Sequence, residues 1–333
     1  MSLLSDALHD LPAPDDAAAA AVAQRAASVL RPAGALARLD EVAAWLASWQ
    51  RTERPAVQRP HAIVFASDHG VAAAGVSAYP AQVTVAMLDA LEKGSATSSA
   101  MASALGVVLE VIDVGVARPT GDLRVEPAMD AARFDESVTS GFEAVDRAAA
   151  AGADLLVFGE MGIGNTTTAA AVVATLYDEP AAAWCGRGTG LDDAGLARKI
   201  DAVDMCRARV RAVTADPLEI AREAGGAELA AIAGATVAAR RRSIPVVLDG
   251  YVVTAAVAPL VSVRADALEH LVAGHRSAEP GHGRLLARLG MEPLLTLDLR
   301  LGEGTGALAA VSLVRLAAVS VVNVATFQEW GLA

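Results

Sequence analysis

Short runs of branched apolar residues alternate with alanine-rich stretches along most of the 333-residue chain. Four of these runs predict strands, at 61–67, 107–116, 154–160 and 245–253. Strands that are apolar along nearly their whole length are typical of a parallel sheet that helices cover on both faces. The sequence therefore predicts an α/β fold.

The two ends of the chain have a different pattern. Segments 15–30 and 35–51 predict helices on either side of the turn "RPAG". The apolar stretch 307–330 predicts one long helix or a broken pair, and no predicted strand follows it. These terminal segments could pack together as a smaller helical layer.

Composition narrows the class of protein. A net charge of −12 argues against a nucleic-acid partner, because no basic stripe is present to neutralise phosphates. Asp249 and Arg315 interrupt the longest apolar runs, so we expect no membrane insertion. The N-terminus lacks the basic start of a secretory signal. Cys185 and Cys206 are the only cysteines, which fits a reducing cytoplasm.

Three predicted strands end in polar sequence that contains an acid, at 67–71, 159–165 and 248–250. Ligands of parallel α/β sheets bind beyond the carboxyl ends of the strands. We therefore expect the functional cleft at this edge of the sheet.

The loop 159–165, "GEMGIGN", joins a predicted strand to a predicted helix that Asn165 or Thr166 would cap. A helix N-terminus stabilises an anion, and threonine hydroxyls add donors. A phosphate-binding P-loop would need a lysine here, and a dinucleotide fingerprint would need a small residue at Thr167. A mononucleotide phosphate is the favoured ligand, and a plain glycine turn that binds nothing remains the alternative.

A second glycine loop, "GEGTG", holds Glu303 between Gly302 and Gly304. A catalytic or binding carboxylate is favoured over a surface turn. Asp68, His69 and the histidines of "HRSAEPGH" could bind a metal, but their spacing fits no helical ligand pair. We expect hydrogen-bonded histidines and no metal.

Six motifs, taken in order, resemble those of the nicotinate-nucleotide–dimethylbenzimidazole phosphoribosyltransferases: "DHGVAAAGVSAYP", "GEMGIGNTT", "GRGTGLDDAGLARKI", "LDGY", "HRSAEPGH" and "RLGEGTGA". The resemblance covers essentially the whole chain. It implies a glycosyltransferase of cobalamin biosynthesis that moves the 5-phosphoribosyl group from nicotinate mononucleotide to 5,6-dimethylbenzimidazole, without a cofactor. The products are α-ribazole 5′-phosphate and nicotinate.

The resemblance also implies a homodimer of subunits with two parts each. A Rossmann-like parallel-sheet domain spans 60–300, and a small helical domain combines 1–59 with 301–333. Segment 93–99, "KGSATSS", departs from the family pattern at the pocket wall, which bears on the choice of base.

The residue roles come from the same resemblance. Glu303 matches the general base, Glu160 a second active-site acid, and Asp249 an acid near the reacting centre. Tyr79 and Met87 fall where relatives line the benzimidazole pocket. The nucleotide and phosphate site matches Met161, Gly162, Ile163, Gly164, Asn165, Thr166, Thr167, Lys199, Arg300, Leu301 and Gly302.

The chemistry fits these residues. Cleaving the bond from ribose to the cationic pyridinium nitrogen neutralises the ring, so the leaving group needs no general acid and no metal. A single displacement would invert the anomeric carbon. Two alternatives stay open: a non-catalytic nucleotide-binding or regulatory protein with the same loops, and a metal-dependent hydrolase built on Asp68, His69 and Asp249.

Overall fold

The computed structural model describes residues 3–332, and a five-stranded sheet runs through its centre. The strands are β1 (Pro60–Ser67), β2 (Val108–Gly115), β3 (Leu155–Met161), β4 (Val246–Leu248) and β5 (Leu271–Ala273). They lie in the order β2-β1-β3-β4-β5, and every neighbouring pair is parallel. The predicted parallel α/β sheet is confirmed.

Helices fill the connections between the strands, and further helices precede β1 and follow β5. They are α1 (Leu3–Ala7), α2 (Asp16–Ser28), α3 (Ala37–Gln50), α4 (Val83–Glu92), α5 (Thr97–Leu105), α6 (Ala131–Ala150), α7 (Asn165–Leu176), α8 (Asp193–Arg211), α9 (Pro217–Ala224), α10 (Ala227–Arg241), α11 (Tyr251–Val263), α12 (Pro280–Arg288) and α13 (Thr305–Val322). Short 3-10 turns lie at Gly70–Ala74 and Ala181–Ala183.

The predicted strand 245–253 was too long. Only Val246–Leu248 is strand, and the buried apolar residues from Tyr251 onward begin α11. A short apolar run cannot be assigned to strand or helix by periodicity alone, which explains both this error and the missed strand β5. The long helix predicted within 307–330 is α13, which ends at Val322.

Alternate residues of the strands face two separate apolar layers. Ile63 and Phe65 of β1 pack in the layer formed by α1 and α6 to α12. Ala62 and Val64 face the layer formed by α2 to α5 and α13. Helices therefore cover both faces of the sheet, as the strand composition predicts.

The terminal helices meet on the second face. α2, α3 and α13 share one apolar cluster with the sheet, whereas α1 packs in the opposite layer. Arg25 of α2 joins the two termini through hydrogen bonds to the carbonyls of Val321 and Val324. The division into 60–300 and 1–59 with 301–333 stays a prediction, and residues 1, 2 and 333 lie outside the described chain.

Helix α13 corrects the expectation that the apolar runs are too interrupted to span a membrane. Its 18 residues are long and apolar enough to cross a bilayer, although 61% of the helix is buried within the protein. Arg315 lies within it and donates to the carbonyls of Val57 and Leu105. Core helices also pass a test of length and composition, so α13 is weak evidence for a membrane span.

Candidate active site

A cavity of 380 Å³ lies where β3, β4 and β5 end, at the edge of the sheet that the sequence predicts. Segment 67–71, which was also expected at this cleft, contributes no lining residue. The cavity is lined by every predicted site residue except Thr167 and Lys199. Both exceptions are buried, with 0% and 1% of their surfaces exposed. The structure thus brings the two glycine loops, the predicted base pocket and the three predicted acids to one place.

The two glycine loops touch through their backbones. A Cβ atom on Gly159 would lie 2.4 Å from the backbone nitrogen of Gly304, so only glycine permits this approach. The backbone N–H of Glu303 donates to the carbonyl of Glu160 at 3.0 Å. This contact sets the two glutamates side by side.

Glu303 occupies an unusual backbone conformation. Its φ is +60°, in the left-handed region that non-glycine residues seldom adopt, and Gly302 and Gly304 are left-handed on either side of it. The residue is 2% exposed. Burial raises the pKa of Glu303, a hydrogen bond from Ser98 acts in the opposite direction, and Asp249 raises it further. A carboxyl with a raised pKa is a better base near neutral pH than an exposed glutamate.

The pKa of Glu160 is raised more strongly than that of Glu303. Burial, followed by the nearby charges of Asp249, Glu228 and Glu303, raises the pKa of Glu160 well above its usual value. The side-chain amide of Asn165 donates to Glu160 and opposes the shift. The site therefore holds two neighbouring carboxyls, and its environment drives Glu160 furthest toward the protonated form.

Asp249 anchors the start of α13. Its carboxylate accepts backbone hydrogen bonds from Gly304 at 3.1 Å, Gly306 at 2.8 Å and Ala307 at 3.0 Å. A negative charge is favourable at a helix N-terminus. The Nε2 atom of His275 lies 3.3 Å from the same carboxylate. Asp249 lines the cavity, but its oxygens are engaged in fixing the backbone next to Glu303.

The start of α7 differs from the sequence prediction. The residue that precedes the helix is Gly164, with a φ of +97°, and neither Asn165 nor Thr166 acts as the cap. Asn165 is already helical, and its side chain bonds to Glu160 instead. The first turn of α7 still borders the cavity, and the partial positive charge of a helix N-terminus favours an anion there. The N–H groups of Asn165, Thr167 and Thr168 already donate to loop carbonyls.

Lys199 contacts the first turn of α7 through Thr166. Its ammonium donates to the hydroxyl of Thr166 at 2.9 Å and to the carbonyl of Gly186 at 3.0 Å. An ammonium can only donate, so Thr166 accepts this bond and its own hydrogen remains available to a ligand. Burial lowers the pKa of Lys199, whereas the charges of Glu279 and Cys185 raise it.

Apolar side chains form the wall near β1 and α4. Met87 of α4 is half-buried and packs in one cluster with Met161. Tyr79 lies at the mouth of the cavity with 52% of its surface exposed. Val76 and Val83 complete this side. A flat aromatic ligand would find its apolar contacts here.

The residues of the possible metal site have separate partners. Asp68 accepts a hydrogen bond from the backbone of Ala117 at 2.8 Å, and the Nε2 atom of His69 lies 2.8 Å from Glu228. Asp249 binds the start of α13. Within residues 3–332, no group of three or more histidine, cysteine, aspartate or glutamate side chains could hold a metal ion.

His282 is a hydrogen-bonded core residue. The backbone N–H of Ser277 donates to its Nδ1 atom at 2.9 Å, so the ring proton is on Nε2 and points to Thr254 at 3.0 Å. Burial lowers the pKa of His282 to about 3. This neutral ring holds Ser277 at the cavity wall.

Several cavity residues were not predicted from the sequence: Arg187, Gly188, Thr189, Ser277 and Glu279. They come from "GRGTG" and "HRSAEPGH", and only the repeated small residues of these motifs could have indicated them. Ser98, in the segment that departs from the family pattern, donates to Glu303 at 3.0 Å. No local pattern distinguishes Ser98 from the serine beside it.

Comparisons with known proteins agree with this geometry. A family profile described as phosphoribosyltransferase matches residues 11–332. A protein of Mesorhizobium japonicum named nicotinate-nucleotide–dimethylbenzimidazole phosphoribosyltransferase is 50% identical over 99% of this chain and 97% of its own. A protein of Methylocella silvestris with the same name is 50% identical over 96% of this chain and 92% of its own.

A crystal structure gives the same result. The nicotinate-nucleotide–dimethylbenzimidazole phosphoribosyltransferase of Thermus thermophilus superimposes with a TM-score of 0.90 at 41% identity, over 96% of this chain and 99% of that one. The similarity therefore extends through both layers and the cavity between the loops. The chain belongs to the nicotinate-nucleotide–dimethylbenzimidazole phosphoribosyltransferase family.

Proposed function

We propose that this protein transfers the 5-phosphoribosyl group from nicotinate mononucleotide to 5,6-dimethylbenzimidazole and releases nicotinate and α-ribazole 5′-phosphate. The observation that carries the proposal is the buried Glu303 carboxyl, which shares one cavity with the N-terminus of α7. The names of the relatives support a transferase. They give no support to a non-catalytic nucleotide-binding protein.

The reaction is a single displacement. A nitrogen lone pair of the benzimidazole attacks C1′ of the ribose, and the bond from C1′ to the pyridinium nitrogen breaks. Its electron pair returns to the nicotinate ring, which becomes neutral, so this step needs no general acid, metal or cofactor. Attack on the opposite face inverts C1′.

Glu303 removes the proton from the other nitrogen of the benzimidazole. Its raised pKa suits this role, and its fixed backbone holds the carboxyl beside the cavity. The surroundings of Glu160 favour its protonated form, which can donate a hydrogen bond. We therefore assign Glu160 a hydrogen bond to the substrate. Asp249 positions Glu303 by holding the N–H groups of the next turn.

The phosphate binds at the first turn of α7. Thr166 supplies a hydroxyl hydrogen that Lys199 leaves free, and Lys199 supplies positive charge behind it. Arg300 adds a further positive charge at the cavity. The benzimidazole binds against Tyr79 and Met87, which are apolar enough to accept its dimethyl edge.

We further propose a cytoplasmic homodimer. Large apolar side chains are exposed near the C-terminus, as is common where subunits meet: Leu316, Val319, Phe327, Trp330 and Leu332. Cys185 and Cys206 are free and buried, which fits a reducing compartment. Light scattering of the purified protein tests the dimer, and a monomeric mass at working concentrations would contradict it.

The activity is tested by incubating the protein with nicotinate mononucleotide and 5,6-dimethylbenzimidazole. We expect free nicotinate and one new nucleotide by chromatography, and the anomeric proton coupling should identify the α product. Absence of both products would refute the function. A β product, or exchange of labelled nicotinate into the substrate without any acceptor, would refute the single displacement.

A further inference from the structure

Glu279 is a cavity carboxyl that the reaction scheme does not use. It stands immediately before α12, where Pro280 follows and fixes the backbone. The residue is 8% exposed and borders the same cavity as Glu303. Its side chain packs on Gly186, because a Cβ atom there would lie 2.3 Å from Oε2 of Glu279.

The Oε2 atom of Glu279 is buried and accepts no hydrogen bond from any of residues 3–332. The other acids of the cavity differ in this respect. Asp249 accepts three backbone hydrogen bonds, Glu160 accepts one from Asn165, and Glu303 accepts one from Ser98. A buried carboxylate oxygen without a donor is unfavourable, so a rotation of the side chain that brings this oxygen to the donors of a ligand in the cavity would stabilise it.

The position of Glu279 indicates which donors these are. Its neighbour Gly186 accepts a hydrogen bond from Lys199, which is also bound to Thr166 at the phosphate end. Two residues before Glu279, Ser277 lies against Gly250, which follows Asp249 at the end near Glu303. Glu279 therefore lies between the two ends of the cavity.

In a nucleoside 5′-phosphate, the ribose occupies the space between the phosphate and C1′. Its hydroxyls at C2′ and C3′ are the hydrogen-bond donors of this part of the molecule. We propose that Glu279 accepts hydrogen bonds from the 2′,3′-diol of the nucleotide substrate and so selects ribosyl over deoxyribosyl donors. This inference rests on the proposed function, which supplies the nucleotide.

The test compares nicotinate mononucleotide with its 2′-deoxy and 3′-deoxy analogues, using the wild type and Glu279→Gln. Hydrogen bonds to a charged group correspond to about 10–100-fold in an equilibrium constant. We expect Glu279→Gln to lower kcat/KM by about this factor on the ribosyl substrate. On at least one deoxy analogue the loss should largely disappear, because the lost hydroxyl and the lost carboxylate belong to one interaction.

Thr166→Val is the matched control, since its loss should be the same on all three nucleotides. An equal loss of kcat/KM from Glu279→Gln on all three nucleotides would overturn the inference. Glu279 would then act by balancing the charge of Lys199 or by supporting the fold. Calorimetric binding of the same nucleotides gives the comparison without turnover. Absence of transfer would then refute the proposed function while the binding pattern still decides the role of Glu279.

Discussion

The hydroxyl of Ser98 donates a hydrogen bond to Oε2 of Glu303 at 3.0 Å. This bond stabilises the ionised carboxylate and opposes burial, which raises the pKa of Glu303. Ser98 lies on α5, in the segment 93–99 that departs from the family pattern. No residue of this segment lines the cavity, so the departure expected at the pocket wall falls instead on the partner of the proposed base.

Ser98→Ala should move the acid limb of the kcat/KM profile to higher pH. Glu303 acts as a base only when ionised, so activity falls as the pH drops through its pKa. Loss of the hydrogen bond raises that pKa, and the limb follows it. Ser99→Ala is the control, because Ser99 donates to the carbonyl of Leu91. Identical profiles for the wild type and Ser98→Ala would contradict the assignment of Glu303 as base.

Glu303→Gln should keep the fold and nucleotide affinity but lower turnover by about 10²–10⁴-fold, the usual contribution of a general base. The amide preserves the shape of the side chain and removes its basicity. Turnover is measured by release of nicotinate, and calorimetry checks the affinity. Near-normal turnover would remove Glu303 from the mechanism.

Thr166→Val and Lys199→Met should each weaken the binding of nicotinate mononucleotide, by about 1.5–3 kcal/mol if a charge-assisted hydrogen bond is lost. Lys199 donates to Thr166, so the two effects should be strongly non-additive in the double variant. Calorimetry of the four proteins measures the coupling. Fully additive losses would show that Lys199 does not act through Thr166.

Substitutions at Tyr79 and Met87 should change which base is used more than the rate of transfer. A methylene-sized apolar contact discriminates by only about 1–3 kcal/mol, so we expect the wild type to accept unsubstituted benzimidazole as well. Competition between the two bases, read from the product ratio, tests this in the wild type and in Met87→Ala. Rejection of every base except the dimethyl compound would be inconsistent with an adaptable methionine wall.

Asp249→Asn should destabilise the protein by about 2 kcal/mol, since hydrogen bonds to a charged group contribute about 1.5–3 kcal/mol each. The carboxylate accepts three N–H groups, and an asparagine has one acceptor oxygen. Turnover should fall as well, because the turn beside Glu303 loosens. Urea unfolding gives the stability, with Asp201→Asn on α8 as a control that removes the same charge at an exposed position. Equal stability of both variants would contradict the anchoring role.

The sequence predicted the parts of the molecule that depend on local pattern. The strands β1 to β3 are long, largely apolar runs, and the first glycine loop directly follows the apolar part of β3. Strands β4 and β5 have three residues each, which is too short for a periodic signal. Glu279 reaches the cavity only through the packing of α12, and Lys199 reaches Thr166 at the cavity wall only through the packing of α8.

The capping of α7 shows why local rules fail at a site. Asparagine is a favoured cap, but here Asn165 is inside the helix and bonds to Glu160 across the loop. A side-chain contact across the loop has replaced the cap. For Ser98 the partner, Glu303, lies on a different element. The roles of these site residues stay predictions until the variants are measured.

The left-handed backbone of Glu303 has a consequence for selection. At a φ of +60° a side chain costs about 1–2 kcal/mol relative to glycine, and a buried carboxyl adds to the cost. Glu303→Gly would therefore extend the flanking glycines into a relaxed turn, with a higher melting temperature and no base. A screen for thermal resistance alone would therefore enrich the Glu303→Gly variant, which lacks the base. Any such screen of this protein has to be coupled to growth or turnover.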